Sequence, residues 1–195
     1  MSYVLTGISH FQEEIRKSRF ITIAAPISDS QTAHDFLRTH SDPAATHNCW
    51  AWVCGAQYRF NDDGEPGGTA GRPILSAIQN QGFDNTAVLV IRYYGGIQLG
   101  TGGLARAYGG GANKCLQQAA RTTLIPTVSA SCQIPFAEVA LIKSRLIQWQ
   151  ALIQHEEYDA TGVQLTFALP LEHMAAATTQ IRDLSRGLIE LKIKR

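Results

Sequence analysis

Three carboxylates stand within four residues of one glycine-rich segment, a spacing that lets them converge on a single hard cation. They are Asp62, Asp63 and Glu65, and the segment comprises residues 62–71. Carboxylate oxygens are ligands that magnesium favours, so one interpretation is a divalent-cation site. The other is a turn in which the aspartates accept hydrogen bonds from nearby backbone amides. Because the segment lacks the alternating oxygen ligands of a calcium-binding loop, we favour the turn. We expect no cofactor, with a divalent cation as the alternative.

A second glycine-rich segment follows a predicted strand and begins a predicted helix. Residues 100–105 fit the pattern G-x-G-x-x-A, in which backbone amides and the helix dipole hold a phosphate group. A nicotinamide or flavin site is disfavoured because five residues separate the pattern from the strand. In addition, no Asp or Glu follows about 20 residues later. Two interpretations remain: an anion site formed by Gly100, Gly102 and Gly103, or glycines with a purely architectural role.

Cationic and aromatic side chains accompany this segment. Arg92, Tyr93 and Tyr94 end the predicted central strand, and Arg72 and Arg106 belong to the predicted helices before and after it. This combination suits the phosphates and bases of a nucleic acid, or an acidic protein segment. The alternative is ordinary alternation along a strand, with one tyrosine buried and the other at the rim. The glycine-rich middle third of the chain carries five basic and two acidic residues, although the formal net charge of the whole chain is only +1.

His47 begins a predicted strand, where it is either a satisfied structural group or an acid–base group. No serine or cysteine occurs in a recognisable nucleophile motif, which leaves covalent hydrolysis without support. The four cysteines form no CxxC pair, and we interpret them as buried free thiols. An enzyme would therefore combine a metal held by the three carboxylates, His47 as acid or base, and a phosphate held near Gly102.

The overall composition indicates a globular protein. A chain of 195 residues, 45% of them hydrophobic, can supply a buried core. No apolar run approaches the roughly 18 residues that indicate a membrane span, and the N-terminus lacks the features of a signal peptide. We therefore expect a cytoplasmic protein without membrane association.

The pattern of apolar residues predicts the elements that position the candidate groups. Residues 87–91 are continuously apolar, as expected of a central strand covered on both faces. The glycine triplet 109–111 lies inside a predicted helix, where each glycine costs about 1 kcal/mol relative to alanine. We interpret the triplet as allowing close approach to the sheet. The predicted strands of this part are 18–27, 47–55 and 86–94. The predicted helices are one that Ser28 or Asp29 caps and that runs to about His40, one that begins at residue 72, and one over residues 101–120.

The pattern breaks at residues 122–126, which we take as a boundary between domains 1–125 and 126–195. The second part follows the order β-α-β-β-α-β, which is the ferredoxin-like arrangement. Its predicted strands are 128–134, 151–158, 162–169 and 188–193, and its predicted helices are 135–149 and 170–185.

Five segments carry motifs that occur together and in a fixed order along the first part of the chain. They are residues 17–21, 45–49, 62–71, 92–96 and 99–108. Taken together they closely resemble the IMPACT family, and in particular its bacterial YigZ-type branch.

The resemblance implies an α+β fold of two domains. The N-terminal domain would be similar to domain IV of elongation factor G and to part of a small-subunit ribosomal protein. The C-terminal domain would be ferredoxin-like and similar to domain V of the same factor.

The resemblance also implies a role in translation, because the eukaryotic member of the family is a regulator of translation. We therefore expect a non-enzymatic, cytoplasmic regulator that binds RNA or ribosome-associated machinery. A protein partner is a third interpretation, and a metal-assisted enzyme acting on a phosphorylated small molecule or nucleotide is the alternative. The residues expected to bind nucleic acid are Arg72, Arg92, Tyr93, Tyr94, Gly100, Gly102, Gly103 and Arg106.

Overall fold

A computed structural model describes residues 2–193 of the chain and shows an α+β fold. The chain divides into two compact units between Leu124 and Ile125, here called unit 1 and unit 2. All the candidate residues introduced above lie in unit 1. Within residues 2–193, no helix is long and apolar enough to cross a membrane.

Unit 1 is built around a five-stranded antiparallel sheet with the strand order β2-β3-β6-β4-β5. Two further strands, β1 and β7, form a separate antiparallel pair. The strands are β1 (Ser2–Leu5), β2 (Ser9–Ile15), β3 (Ser18–Pro26), β4 (His47–Cys54), β5 (Gln57–Asn61), β6 (Thr86–Tyr93) and β7 (Arg121–Leu124). The helices are α1 (Ser30–His40), α2 (Gly71–Asn80) and α3 (Thr101–Gln118).

Strand β6 lies at the centre of the sheet, and its side chains enter buried clusters on both faces. Val88 and Val90 pack in a cluster with residues of α2 and α3. Leu89 and Ile91 pack in another cluster with residues of α1. Every residue of β6 except Tyr93 is buried, so the predicted central strand covered on both faces is confirmed. This position holds the end of β6 close to the segment that starts α3.

Four strands of unit 1 were not predicted from the sequence. Strands β1 and β7 pair Ser2 with Leu124, and such distant partners leave no local signal in the sequence. Strand β2 alternates between half-buried and exposed residues, and every residue of the edge strand β5 is exposed. Neither strand has the apolar run that identified β6, because each buries at most one face.

The glycine triplet of α3 has three different environments. A Cβ added at Gly111 would lie 2.9 Å from Oγ1 of Thr22 in β3, so the predicted approach to the sheet is confirmed there. At Gly109 the nearest atom is Cβ of Pro73 in α2, at 3.3 Å, so that glycine approaches a helix instead. At Gly110 nothing lies within 4 Å, and close approach does not explain it.

These environments predict opposite effects on stability. Gly110→Ala is expected to raise the free energy of unfolding by about 0.5–1 kcal/mol, because alanine loses less backbone entropy in a helix. Gly111→Ala is expected to lower it by about 1–3 kcal/mol, because the new methyl group meets Thr22. Urea unfolding of the two variants tests this comparison. An equal shift in both would show that backbone entropy, not packing, decides the outcome.

Unit 2 follows the element order β-α-β-β-α-β, with two short 3-10 helices at Phe136–Glu138 and Leu171–His173. Its four-stranded antiparallel sheet has the order β11-β8-β10-β9. One face of the sheet packs on both helices, with Phe167, Ile142 and Ile181 in a single buried cluster. The elements are β8 (Thr127–Pro135), α4 (Val139–Gln148), β9 (Leu152–Tyr158), β10 (Gly162–Pro170), α5 (Met174–Leu184) and β11 (Lys192–Ile193).

Candidate functional site

A concave pocket of about 470 Å³ lies in unit 1 where four segments meet. These segments are the residues around the start of β4, the loop after β5, the end of β6 and the start of α3. The volume falls within the range of about 300–1,000 Å³ that is common for small-molecule sites. Its polar and aromatic lining includes Thr46, His47, Glu65, Arg92, Tyr94 and Thr101.

A buried ion pair forms part of the pocket wall. Nη1 of Arg92 lies 2.6 Å from Oε1 of Glu65, and the two side chains are 5% and 4% exposed. The hydroxyl of Tyr108 donates a second hydrogen bond of 2.6 Å to the same carboxylate oxygen. Burial raises the pKa of Tyr108, so its hydroxyl keeps its proton and acts as a donor. Two donors thus offset the cost of burying the Glu65 charge.

The sheet brings His47 to this ion pair. His47 in β4 stands directly opposite Arg92 in β6, and its Nε2 lies 3.8 Å from Oε1 of Glu65. Its Nδ1 lies 2.8 Å from the carbonyl oxygen of Asp63. Because a carbonyl oxygen only accepts, Nδ1 carries the proton in the neutral ring and Nε2 is left as an acceptor. Nδ1 is therefore used in a structural hydrogen bond, and Nε2 is the ring nitrogen that faces Glu65.

The aspartates of the 62–71 segment are hydrogen-bonded to backbone amides. The Asp62 carboxylate accepts from the amides of Gly68, Ala70 and Gly71, at 2.8, 3.0 and 2.8 Å. Asp63 Oδ2 accepts from the amide of Asn48 at 2.6 Å. These contacts form the turn anticipated from the sequence, and they hold Glu65 at the pocket. Within residues 2–193, no group of three or more His, Cys, Asp or Glu side chains is arranged to hold a metal ion.

The start of α3 forms another side of the pocket. Gly100 precedes the helix with φ 73° and ψ 165°, a backbone region that is essentially restricted to glycine. The helix has no side-chain cap and no acidic residue in its first turn, so its first amides and its dipole are available to an anion. Nη1 of Arg106 lies 3.6 Å from the position that a Cβ of Gly102 would occupy, which adds a cation beside this turn.

A basic groove of about 210 Å³ adjoins the pocket, and Leu99 lines both. Its cations are Arg16, Arg106 and Lys114, and its one carboxylate is Glu13. Nζ of Lys114 lies 2.6 Å from Oε2 of Glu13. In the part of the chain that the structure describes, the guanidinium of Arg106 has neither a hydrogen bond nor an ion pair. The groove therefore carries an excess of positive charge.

The predicted nucleic-acid residues separate into three groups. Arg92, Tyr94 and Gly100 line the pocket, and Gly103 and Arg106 line the basic groove. Arg72, Tyr93 and Gly102 line neither of these cavities. Gly102 belongs to the first turn of α3, next to residues that line them.

Two of these residues have partners within unit 1 that the sequence did not predict. The hydroxyl of Tyr93 bonds to the Asp42 carboxylate, and the guanidinium of Arg19 lies 4.3 Å from the centre of the Tyr93 ring. Arg92 is not an exposed cation, because Glu65 neutralises it inside the protein. The contacts of Tyr93 thus lie outside the pocket. Arg92 forms part of the pocket wall, with its charge neutralised by Glu65.

Three functional candidates were missed in the sequence: Arg16, Tyr108 and Lys114. Tyr108 stands 43 residues from its partner Glu65, and nothing local in the sequence connects them. Arg106 and Lys114 stand eight residues apart in α3 and line the same groove. That interval is close to two helical turns and is a pattern that identifies a common face.

The cysteines do not supply a nucleophile to the pocket. The Cys49 thiol is buried, and burial raises its pKa to about 12. It donates a hydrogen bond to the carbonyl oxygen of Asp62 at 3.0 Å. All four cysteines are free, and Cys49, Cys115 and Cys132 are buried while Cys54 is half-buried. The interpretation of free thiols is confirmed, and burial is confirmed for three of the four.

Comparisons with known proteins agree across both units. Residues 16–116 match the model of the Impact N-terminal domain, and residues 132–188 match a domain of unknown function, DUF1949. The chain is 44% identical over 174 residues to an IMPACT family member in the pol 5′ region of Thermus thermophilus. That match covers 89% of this chain and 96% of that protein.

Two further relatives extend the comparison. The chain is 40% identical over 186 residues to the IMPACT family member YigZ of Escherichia coli K12, which covers 92% of this chain and 91% of that protein. A crystal structure of a hypothetical protein is similar with a TM-score of 0.75 at 37% sequence identity. That similarity covers 100% of this chain and 97% of the other.

Proposed function

Because this chain belongs to the IMPACT family, we propose that it is a non-enzymatic, cytoplasmic regulator that binds RNA, either free or within the translation machinery. The observation that carries the proposal is the basic groove of Arg16, Arg106 and Lys114 beside the start of α3. Cations that line a groove next to a helix N-terminus suit a phosphate backbone. The near-neutral charge of the whole chain limits this attraction to one face of unit 1.

The topology of unit 2 supports the same proposal at the level of the fold. If its strands are counted from 1 to 4 along the chain, the sheet order β11-β8-β10-β9 reads 4-1-3-2. We propose that unit 2 is a ferredoxin-like domain similar to domain V of elongation factor G. We also propose that unit 1 is similar to domain IV of the same factor. This part rests on analogy of fold and says less about function than the groove does.

The test is RNA binding across a salt series, measured by fluorescence anisotropy with a labelled single-stranded RNA and by co-sedimentation with ribosomes. Arg106→Ala is expected to weaken binding and to reduce the slope of log affinity against log salt concentration by about 0.7. Arg59→Ala is the matched control, because Arg59 in β5 is also an exposed arginine of unit 1 but lines neither the groove nor the pocket. Affinity that is independent of salt, or an equal loss in both variants, would contradict the proposal.

An enzyme acting on a phosphorylated small molecule is the second candidate. The observation that favours it is the acceptor nitrogen of His47, which lies 3.8 Å from the buried Glu65 carboxylate in the wall of the pocket. Such a pair is suited to acid–base chemistry. This candidate requires turnover of a phosphorylated compound that His47→Gln abolishes, whereas RNA binding through the groove does not depend on that nitrogen.

A further inference from the structure

We propose that the pocket holds a single nucleotide, with its phosphate monoester on the first turn of α3 and its base beside Tyr94. The proposal deepens the RNA-binding function and rests on it, because RNA adjoining the pocket would present such a nucleotide at its 5′ end. A free nucleoside monophosphate has the same chemistry, and the experiment below separates the two sources.

The phosphate position follows from the start of α3. The helix spans 18 residues, is uncapped by any side chain and has no carboxylate in its first turn. Helix termini of this kind bind phosphates through the free amides and the dipole. Gly102 has no side chain that could cover the amides of the first turn, and the guanidinium of Arg106 lies beside it. A phosphate monoester carries more negative charge than the phosphodiester inside an RNA strand, so this position favours a terminal phosphate.

The base position follows from the aromatic and apolar lining. Tyr94 is 46% exposed and lines the pocket together with Leu99 and Leu104. The guanidinium of Arg92 lies 5.3 Å from the centre of the Tyr94 ring. The Nε atom of Arg92 is buried and has no hydrogen-bond partner among the described residues. A planar base stacks favourably on an exposed aromatic ring such as that of Tyr94.

The interior of the pocket presents acceptors. The acceptor nitrogen of His47 and the carboxylate of Glu65 both line it. These groups suit the hydroxyl and amino donors of a nucleoside, and they repel a second anion. The pocket is therefore bipolar: the backbone amides at the start of α3 lie on one side, next to Arg106 of the adjoining basic groove, and the acceptors lie on the β4 side. A nucleotide matches both ends, whereas inorganic phosphate matches only one.

Calorimetric titration with AMP, adenosine and inorganic phosphate tests this arrangement. AMP is expected to bind at least tenfold more tightly than either of the other two compounds, because adenosine lacks the phosphate and inorganic phosphate lacks the nucleoside. Tyr94→Ala is expected to weaken AMP binding at least fivefold through lost stacking. Tyr58→Ala is the matched control, since Tyr58 is 49% exposed in β5 and does not line the pocket. Thermal unfolding of both variants confirms that the fold is retained.

RNA oligonucleotides of one sequence, with either a 5′-phosphate or a 5′-hydroxyl, separate the sources of the ligand. Tighter binding of the phosphorylated form, lost in Tyr94→Ala, supports the RNA end as the source. AMP binding without this preference supports a free nucleotide. AMP binding without any RNA binding overturns the proposed function and leaves the pocket assignment intact. Salt-dependent RNA binding with neither AMP binding nor a 5′-phosphate preference overturns the pocket assignment and leaves the function intact.

Discussion

Replacing Glu65 with alanine is expected to lower the free energy of unfolding by about 3–5 kcal/mol, because it leaves a buried guanidinium charge without its partner. Arg92 is 5% exposed and its 2.6 Å contact to Glu65 is its one ion pair among residues 2–193. The other side-chain hydrogen bond of Arg92 among residues 2–193, from Nη2 to the Ser18 hydroxyl, is 3.4 Å long. Tyr108 also loses the acceptor of its hydroxyl.

Urea unfolding, followed by tryptophan fluorescence, measures the effect. Tyr108→Phe removes only one hydrogen bond to the carboxylate and is expected to cost about 1.5–3 kcal/mol. Asp35→Ala is the control for an exposed pair, because Asp35 and Arg38 form an ion pair on the surface of α1. It is expected to cost less than about 1 kcal/mol. A Glu65→Ala loss no larger than the Asp35→Ala loss would show that Arg92 does not depend on this carboxylate.

The size of this effect decides how the site is tested. Arg92 and Glu65 line the pocket, but alanine at either position is expected to destabilise unit 1, so a loss of ligand binding there would not report on the ligand contact alone. Variants at exposed positions such as Tyr94 and Arg106 change the pocket and the groove without breaking the buried pair. Functional loss in those variants is therefore the informative result.

Asp62→Ala is expected to lower the free energy of unfolding by about 2–3 kcal/mol, because the loop and the start of α2 lose a charged acceptor. The Asp62 carboxylate accepts three backbone hydrogen bonds, two of them from the amides of Ala70 and Gly71. Hydrogen bonds to charged groups contribute about 1.5–3 kcal/mol. Asp62→Asn is expected to cost less, because the amide oxygen still accepts.

Magnesium titration of the same variants separates this structural role from a metal-binding role. We expect Asp62→Ala to change stability and to leave the calorimetric response to magnesium the same as in the unaltered protein. The opposite result, unchanged stability with lost magnesium binding, would support the interpretation of residues 62–65 as a cation site. Asp63→Ala is a useful companion, because Asp63 bonds the amide of Asn48 in β4 instead.

Local patterns in the sequence were sufficient for the elements that bury apolar residues on both faces. The apolar run of β6 predicted the central strand that the structure contains, and Asp29, one of the two residues suited to cap α1, is its N-cap. The order of the elements in unit 2 could also be predicted from the sequence, since each strand and helix there has its own periodicity. Predictions failed where an element buries little, as in β5, or where its partner is distant, as in β1 and β7.

The sequence predicted only part of the chemistry of the site. The sequence identified His47, Glu65, Arg92, Tyr94 and Gly100 as candidates, and the structure brings them into one pocket. It treated Glu65 as equivalent to the two aspartates, although only Glu65 lines the pocket. The residue types of the 62–71 segment do not reveal this difference, because it depends on how the backbone folds back onto Asp62 and on a tyrosine in α3.

The sequence by itself determined the family, the central strand, the glycine start of α3 and the residue types available for chemistry. These features depend on local periodicity, on backbone geometry that requires glycine, and on motifs that occur in order. Only the tertiary structure decided which charges are neutralised and which remain available to a ligand. Arg92 is paired because the fold brings its Nη1 to 2.6 Å from Oε1 of Glu65, although the two residues are 27 positions apart in the sequence. Arg106 is available because no carboxylate of the described chain reaches it, and such proximity is a property of packing that no local pattern encodes.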